Sequence, residues 1–162
     1  MTLSLLAEPT EEIKEFRLAP WPFQRTFKTP LKDLNRFVAT FLRPFSLGGG
    51  VLDTDQVVFE PKSIRAFLAT NSVTLQDLYH FTLRTREQQE IANVLQTVLS
   101  DWVDFAFVSS PPVLAIYADH DEYTTFYARQ ESKLNELVTA LETAGFKVVS
   151  AYVRGGASDG WR

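Results

Sequence analysis

Asp119, His120, Asp121 and Glu122 are consecutive and ionisable, and they are the one cluster in this chain with catalytic or metal-binding character. Along an extended chain, alternation would set Asp119 and Asp121 on one side and His120 and Glu122 on the other. Two carboxylates on one face bind hard cations such as Mg²⁺ or Ca²⁺, and they divide acid and base roles when burial separates their pKa values. The glycine that a helix–loop–helix calcium loop needs is missing. Zinc would want further histidines, and the other one, His80, lies in a different segment expected to be helical. Four polar residues between two apolar runs are also what a hairpin turn requires, and a turn is the expectation here.

Other chemistry is poorly supplied. The chain has no cysteine, which removes disulfides, thiolate metal sites and a cysteine nucleophile. Ser109-Ser110 lacks the Gly-x-Ser-x-Gly elbow of a hydrolase. Gly48-Gly49-Gly50 runs into Val51-Leu52-Asp53-Thr54, with neither the Lys-Ser/Thr of a phosphate-cradling loop nor a dinucleotide-binding glycine spacing. Residues 46–50 therefore read as a flexible joint. No cofactor and no metal set are implied.

Tyr117, Tyr123 and Tyr127 flank the acidic cluster on apolar, β-rich runs. Amphipathic rings beside carboxylates suit a protein-binding surface, where rings supply contact area and carboxylates pair with a basic partner. The expected partner surface is thus Tyr117, Asp119, His120, Asp121, Glu122, Tyr123 and Tyr127.

Charge is unevenly spread. The net charge is −4, yet residues 17–43 carry six basic side chains against Asp33 alone, so the remainder carries −9. Lys28, Lys32, Arg36 and Arg43 form a basic patch concentrated on a predicted helix, read as a solvated face with phosphate binding as the alternative. The acidic pI of 5.2 weighs against nucleic acid. No run approaches the ~18 apolar residues of a membrane span, and the start lacks the basic flank of a signal peptide, so a cytoplasmic protein is expected.

The elements that must position these residues follow from periodicity. Leu134, Leu137, Val138, Leu141 and Ala144 form one helical stripe that Gly145 closes. Ile91, Val94, Leu95, Val98, Leu99 and Trp102 form a longer one, opened by a capping box at Thr85. Leu31, Leu34, Phe37, Val38 and Phe41 predict a helix capped at Thr29-Pro30, and Pro61 opens a short helix with Ile64, Phe67 and Leu68. Thr74 to Tyr79 reads as another capped helix. Strands are expected at 13–18 (an edge), 56–60, 103–109, 113–118, 123–128 and from Phe146; if the last lies parallel to the strand before its helix, the crossover should be right-handed. Residues 1–10 read as a loose end.

These readings combine into an α+β fold: a single domain over residues 1–154 with a mainly antiparallel sheet of about 4–6 strands against about 4 helices. It closes with a β-hairpin-α-β unit, and residues 155–162 form a flexible tail. The expected function is a non-enzymatic protein-binding domain that docks a protein partner of basic character. By analogy of type alone, with no residue motif behind it, that is the profile of immunity or antitoxin-like inhibitors. The alternative is a metal-dependent, hydrolase-like enzyme using Asp119–Glu122.

Overall fold

The computed structural model describes residues 3–75, 77 and 79–150. Seven strands form one sheet: β1 (Ser4–Leu6), β2 (Phe23–Lys28), β3 (Gly49–Gln56), β4 (Thr82–Thr85), β5 (Asp104–Ser110), β6 (Leu114–Ala118) and β7 (Tyr123–Ala128). Their order is β1-β4-β3-β5-β6-β7-β2, and every neighbouring pair is antiparallel. Five helices complete the fold: α1 (Glu11–Leu18), α2 (Leu34–Leu42), α3 (Lys62–Thr70), α4 (Gln88–Ser100) and α5 (Glu131–Thr143). The α+β class with an antiparallel sheet is as expected, with more strands and one more helix than the sequence suggested. No helix among the described residues is long and apolar enough to cross a membrane.

The helices divide unequally over the two faces. Phe37, Val38 and Phe41 of α2, Ile64 and Leu68 of α3, Ile91, Val94, Leu95 and Val98 of α4, and Leu134, Leu137 and Leu141 of α5 are all buried. They share one core with Leu52, Leu83, Phe105, Phe107, Ile116 and Phe126 of the sheet. The opposite face holds a smaller core, where Ile13 and Phe16 of α1 meet Val51, Ala106, Val108, Ala115, Tyr117 and Tyr127. Alternation along each strand makes this possible: Leu52 faces the four helices while Val51 and Asp53 face α1. Sheet strands covered on both sides must be apolar throughout, and β6 (Leu-Ala-Ile-Tyr-Ala) is buried at every position.

Several expectations are corrected. Residues 13–18 are helical, because Ile13 and Phe16, three apart, point together onto the sheet, which a strand could not achieve. Helix α2 begins at Leu34 after Asp33 (φ 62°), not at Pro30. Thr29, just past β2, is instead held against β7, its hydroxyl 2.6 Å from that of Thr124, and Leu31 is exposed. Residues 49–50 open β3 rather than forming a flexible joint, and β3 ends at Gln56, so Val58 and Phe59 lie in an exposed loop. The described residues between 71 and 81 contain no helix, and Thr82–Thr85 pair with β3 and β1. Thr85 ends that strand, so α4 starts after Glu87, and Trp102 (φ 57°) lies beyond the end of α4. Residues 4–6 are a strand and not a loose end.

After α5, Gly145 adopts φ 94° and the chain turns back. No parallel strand follows among the described residues. Val148 makes an isolated antiparallel bridge to Phe27, with Lys28 N donating to Lys147 O at 2.9 Å and Val149 N to Thr26 O at 2.8 Å, which covers the outer edge of β2. The expected tail at 155–162 lies outside the described residues.

Candidate functional site: the acidic end of the sheet

Strand directions gather several loops at one end. Gln56 pairs with Asp104, Phe105 with Ala118, Ala118 with Thr124, and Lys28 with Tyr123. The close of β3, the start of β5, the β6–β7 turn and the close of β2 therefore sit side by side.

The turn itself, residues 119–122, is built from its own side chains. Asp119 N donates to Tyr123 O at 3.0 Å, and Asp119 Oδ1 accepts from the backbone N–H of Asp121 (3.0 Å) and of Tyr123 (3.2 Å). Glu122 takes the left-handed conformation (φ 71°), and its carbonyl accepts from Thr29 N at 2.7 Å. Asp104, buried at the start of β5, holds the turn from below. One oxygen, Oδ1, accepts from His120 N at 2.8 Å and lies 2.9 Å from His120 Nδ1. The ring's Nε2 lies 3.8 Å from Asp121 Oδ1. The Asp121 side chain is 73% exposed, so its charge stands in water.

Electrostatics follow from this geometry. The hydrogen bond to Asp104 raises the His120 pKa above 6.5, and the charges of Asp104, Asp121 and Asp119 add to that against the cost of partial burial. Burial raises the Asp104 carboxyl despite the hydrogen bonds it receives from His120.

The expected surface residues separate into two groups. Asp119, His120, Glu122 and Tyr123 are part-exposed and Asp121 is exposed, all around the turn. Tyr117 and Tyr127 are buried, because β6 and β7 are covered on both faces. The Tyr127 ring meets Phe16 edge-on at 4.8 Å, and Tyr117 hydrogen-bonds Asp55. Asp119 and Asp121 do not converge as paired ligands, since Asp119 closes the turn. Among the described residues no group of three His, Cys, Asp or Glu side chains could hold a metal ion.

All four residues of the expected basic patch are exposed. Lys28 closes β2 opposite Tyr123, and Lys32 lies in the loop before α2. Arg36 is engaged: Nη1 donates to Ala144 O at 2.7 Å, Nη2 lies 3.5 Å from Asp33, and the guanidinium stands 4.6 Å over Phe146. Arg43 follows the far end of α2.

Sequence reasoning passed over a second charged cluster at the same end. Arg17 Nη2 donates to Asp53 Oδ2 at 3.0 Å and also pairs with Asp55. Thr82 Oγ1 donates to Asp53 Oδ1 at 2.6 Å, and His80 Nε2 lies 3.8 Å from that oxygen. The sheet register shifts between Thr54 and Gln56, with Asp55 the extra residue in the ladder. Burial raises the Asp55 carboxyl, opposed by the bond and charge of Arg17 and by the Tyr117 hydroxyl. Burial also works against the charge of Arg17, and the two carboxylates more than offset it, so its pKa is raised. The signal was present in Asp53-Thr54-Asp55, where two carboxylates two residues apart in a strand share a face. Arg17, their counter-ion, becomes visible once residues 13–18 are read as a helix. No family model, curated protein or solved structure matches this chain.

Proposed function

We propose that this chain is a non-enzymatic protein-binding domain whose acidic turn docks a basic partner. One observation carries the reading: Asp121 projects into solvent from a turn fixed by Asp119 and, through His120, by Asp104. A charge already held in place needs little ordering on association, and charge complementarity speeds encounter with a basic surface. The metal-dependent alternative gains no comparable support, because Asp119 Oδ1 is occupied by two backbone donors and His120 Nδ1 by Asp104. The finer reading is an immunity- or antitoxin-like inhibitor, in which the captured basic protein loses its own activity when bound.

Affinity capture from native lysate with wild type and Asp121→Lys, followed by titration of the purified partner, tests this. A basic protein recovered in stoichiometric amount, and bound at least about tenfold more weakly by Asp121→Lys, supports it. No stoichiometric partner, with the two proteins behaving alike, removes it.

A further inference from the structure

Seven large hydrophobic side chains are exposed among the described residues: Leu5, Leu18, Phe23, Leu31, Val58, Phe59 and Tyr79. Three of them lie on the same flank of the acidic turn. Val58 (45% exposed) and Phe59 (54%) follow the end of β3, and Tyr79 (63%) precedes β4 beside His80. Each belongs to a loop at the end of the sheet where Gln56 meets Asp104 and where Phe81 O accepts from Thr54 N. Isolated exposed apolar residues are ordinary, but two aromatics and a valine exposed on loops at the same end of the sheet as a fixed charge have the composition of a protein contact.

We infer that the docking surface runs from the acidic turn across the mouth of β5 onto Val58, Phe59 and Tyr79, and that it fits a partner segment with lysine or arginine at one end and a large apolar side chain at the other. This rests on the protein-binding reading above and gives the partner's chemistry. Its direction comes from charge. On the β2 side the turn is flanked by exposed Lys28, which sits opposite Tyr123 in the ladder and repels a basic segment. On the β3–β4 side the charges balance, with Glu60 paired to Arg65 at 3.1 Å and with exposed Asp77 set against Lys62.

The spacing follows from the strand order. From β3 or β4 to the β6–β7 turn is two to four strand spacings, about 10–20 Å. A helical partner covers that distance in about 7–13 residues, and an extended one in about 3–6. Other occupants fit less well. A two-fold pairing through the middle of this footprint sets each acidic turn against the other copy's apolar loops, which leaves its charge without a counter-ion, and anionic headgroups or nucleic acid are repelled by the turn.

The test uses the full chain and three synthetic helical peptides: one with a lysine block and a leucine-tryptophan block about two turns apart, a shuffled peptide of the same composition, and a lysine peptide with no apolar block. Binding is read by fluorescence anisotropy, with thermal melts confirming that each variant is folded. The expected result is that wild type binds the block peptide about tenfold more tightly than the shuffled one. Phe59→Ser/Tyr79→Ser should lose that preference and bind the block peptide no better than the lysine peptide, while Asp121→Lys should weaken all three.

If Phe59→Ser/Tyr79→Ser binds the block peptide like wild type while Asp121→Lys does not, the extended footprint is wrong and the acidic-turn contact stands. If Asp121→Lys is also unaffected, both fall. Equal binding of the block and shuffled peptides by wild type overturns the inference. So does a concentration-dependent dimer, or retention on phosphatidylcholine vesicles, that Phe59→Ser/Tyr79→Ser abolishes.

Discussion

Arg17, in the last turn of α1, donates from Nη2 to Asp53 Oδ2 at 3.0 Å, joining the single helix on one face of the sheet to the interior strand β3 across 36 residues of chain. The same guanidinium pairs with Asp55, and all three side chains are mostly buried. A buried pair adds little against an apolar replacement of the whole set, but removing one partner leaves charge without compensation.

Arg17→Met should therefore lose about 3–5 kcal/mol at neutral pH, measured by urea denaturation. The loss should shrink in acid. The folded state holds the Asp55 proton more tightly than the unfolded chain does, because its carboxyl is raised above 3.8. Protonation thus favours folding at low pH, and that contribution is lost as pH rises through the raised value. Without Arg17 the carboxyl rises further, so the gap between variant and wild type should narrow on acidification. A loss below about 1 kcal/mol at neutral pH would show that Arg17 is not needed as a counter-ion.

The gap between wild type and a His120 variant should run the other way with pH, although the linkage has the same sign. The folded pKa of His120 lies above 6.5, so its contribution to stability is complete below 6.5 and disappears as pH rises through the folded value. The stability difference between wild type and His120→Gln should accordingly be present in mild acid and absent in mild alkali. Asp104→Asn replaces the carboxylate 2.9 Å from Nδ1 with a neutral amide, and it should bring the His120 titration, followed by NMR, down toward 6.5. An unchanged midpoint in that variant would break the assignment of Asp104 as the main cause.

Gly50 lies against Phe107 across the β3–β5 ladder, where an added Cβ would stand well under 3.0 Å from the phenyl ring. Gly50→Ala should cost about 1–3 kcal/mol, and Phe107→Leu in the same chain should recover part of it by making room. Gly49→Ala should not be recoverable in this way, since its Cβ meets the Thr85 carbonyl and backbone cannot be trimmed. Equal thermal melts for wild type and Gly50→Ala would contradict this packing.

Helices whose apolar side chains recur every three or four residues were legible directly. Leu134, Leu137 and Leu141 are buried as their spacing requires, and so are Ile91, Val94, Leu95, Val98 and Leu99, because amphipathic periodicity needs no distant partner to be read. The strands of the hairpin and the polar turn between Ala118 and Tyr123 were legible for the same local reason. Residues 13–18 and 82–85 were not. Six and four residues carry too little pattern, and their state depends on the sheet they pack against or join.

The exposure of each tyrosine beside the turn was likewise decided by the tertiary structure. Tyr117 and Tyr127 are drawn into the second core because α1 crosses the sheet above them, while Tyr123 stays half-exposed. The sequence by itself determined that an acidic turn would join two buried strands. Only the fold set Asp104 under His120 and brought Arg17 to Asp53 and Asp55, because a buried charge finds its counter-ion through space and not through the neighbouring residues.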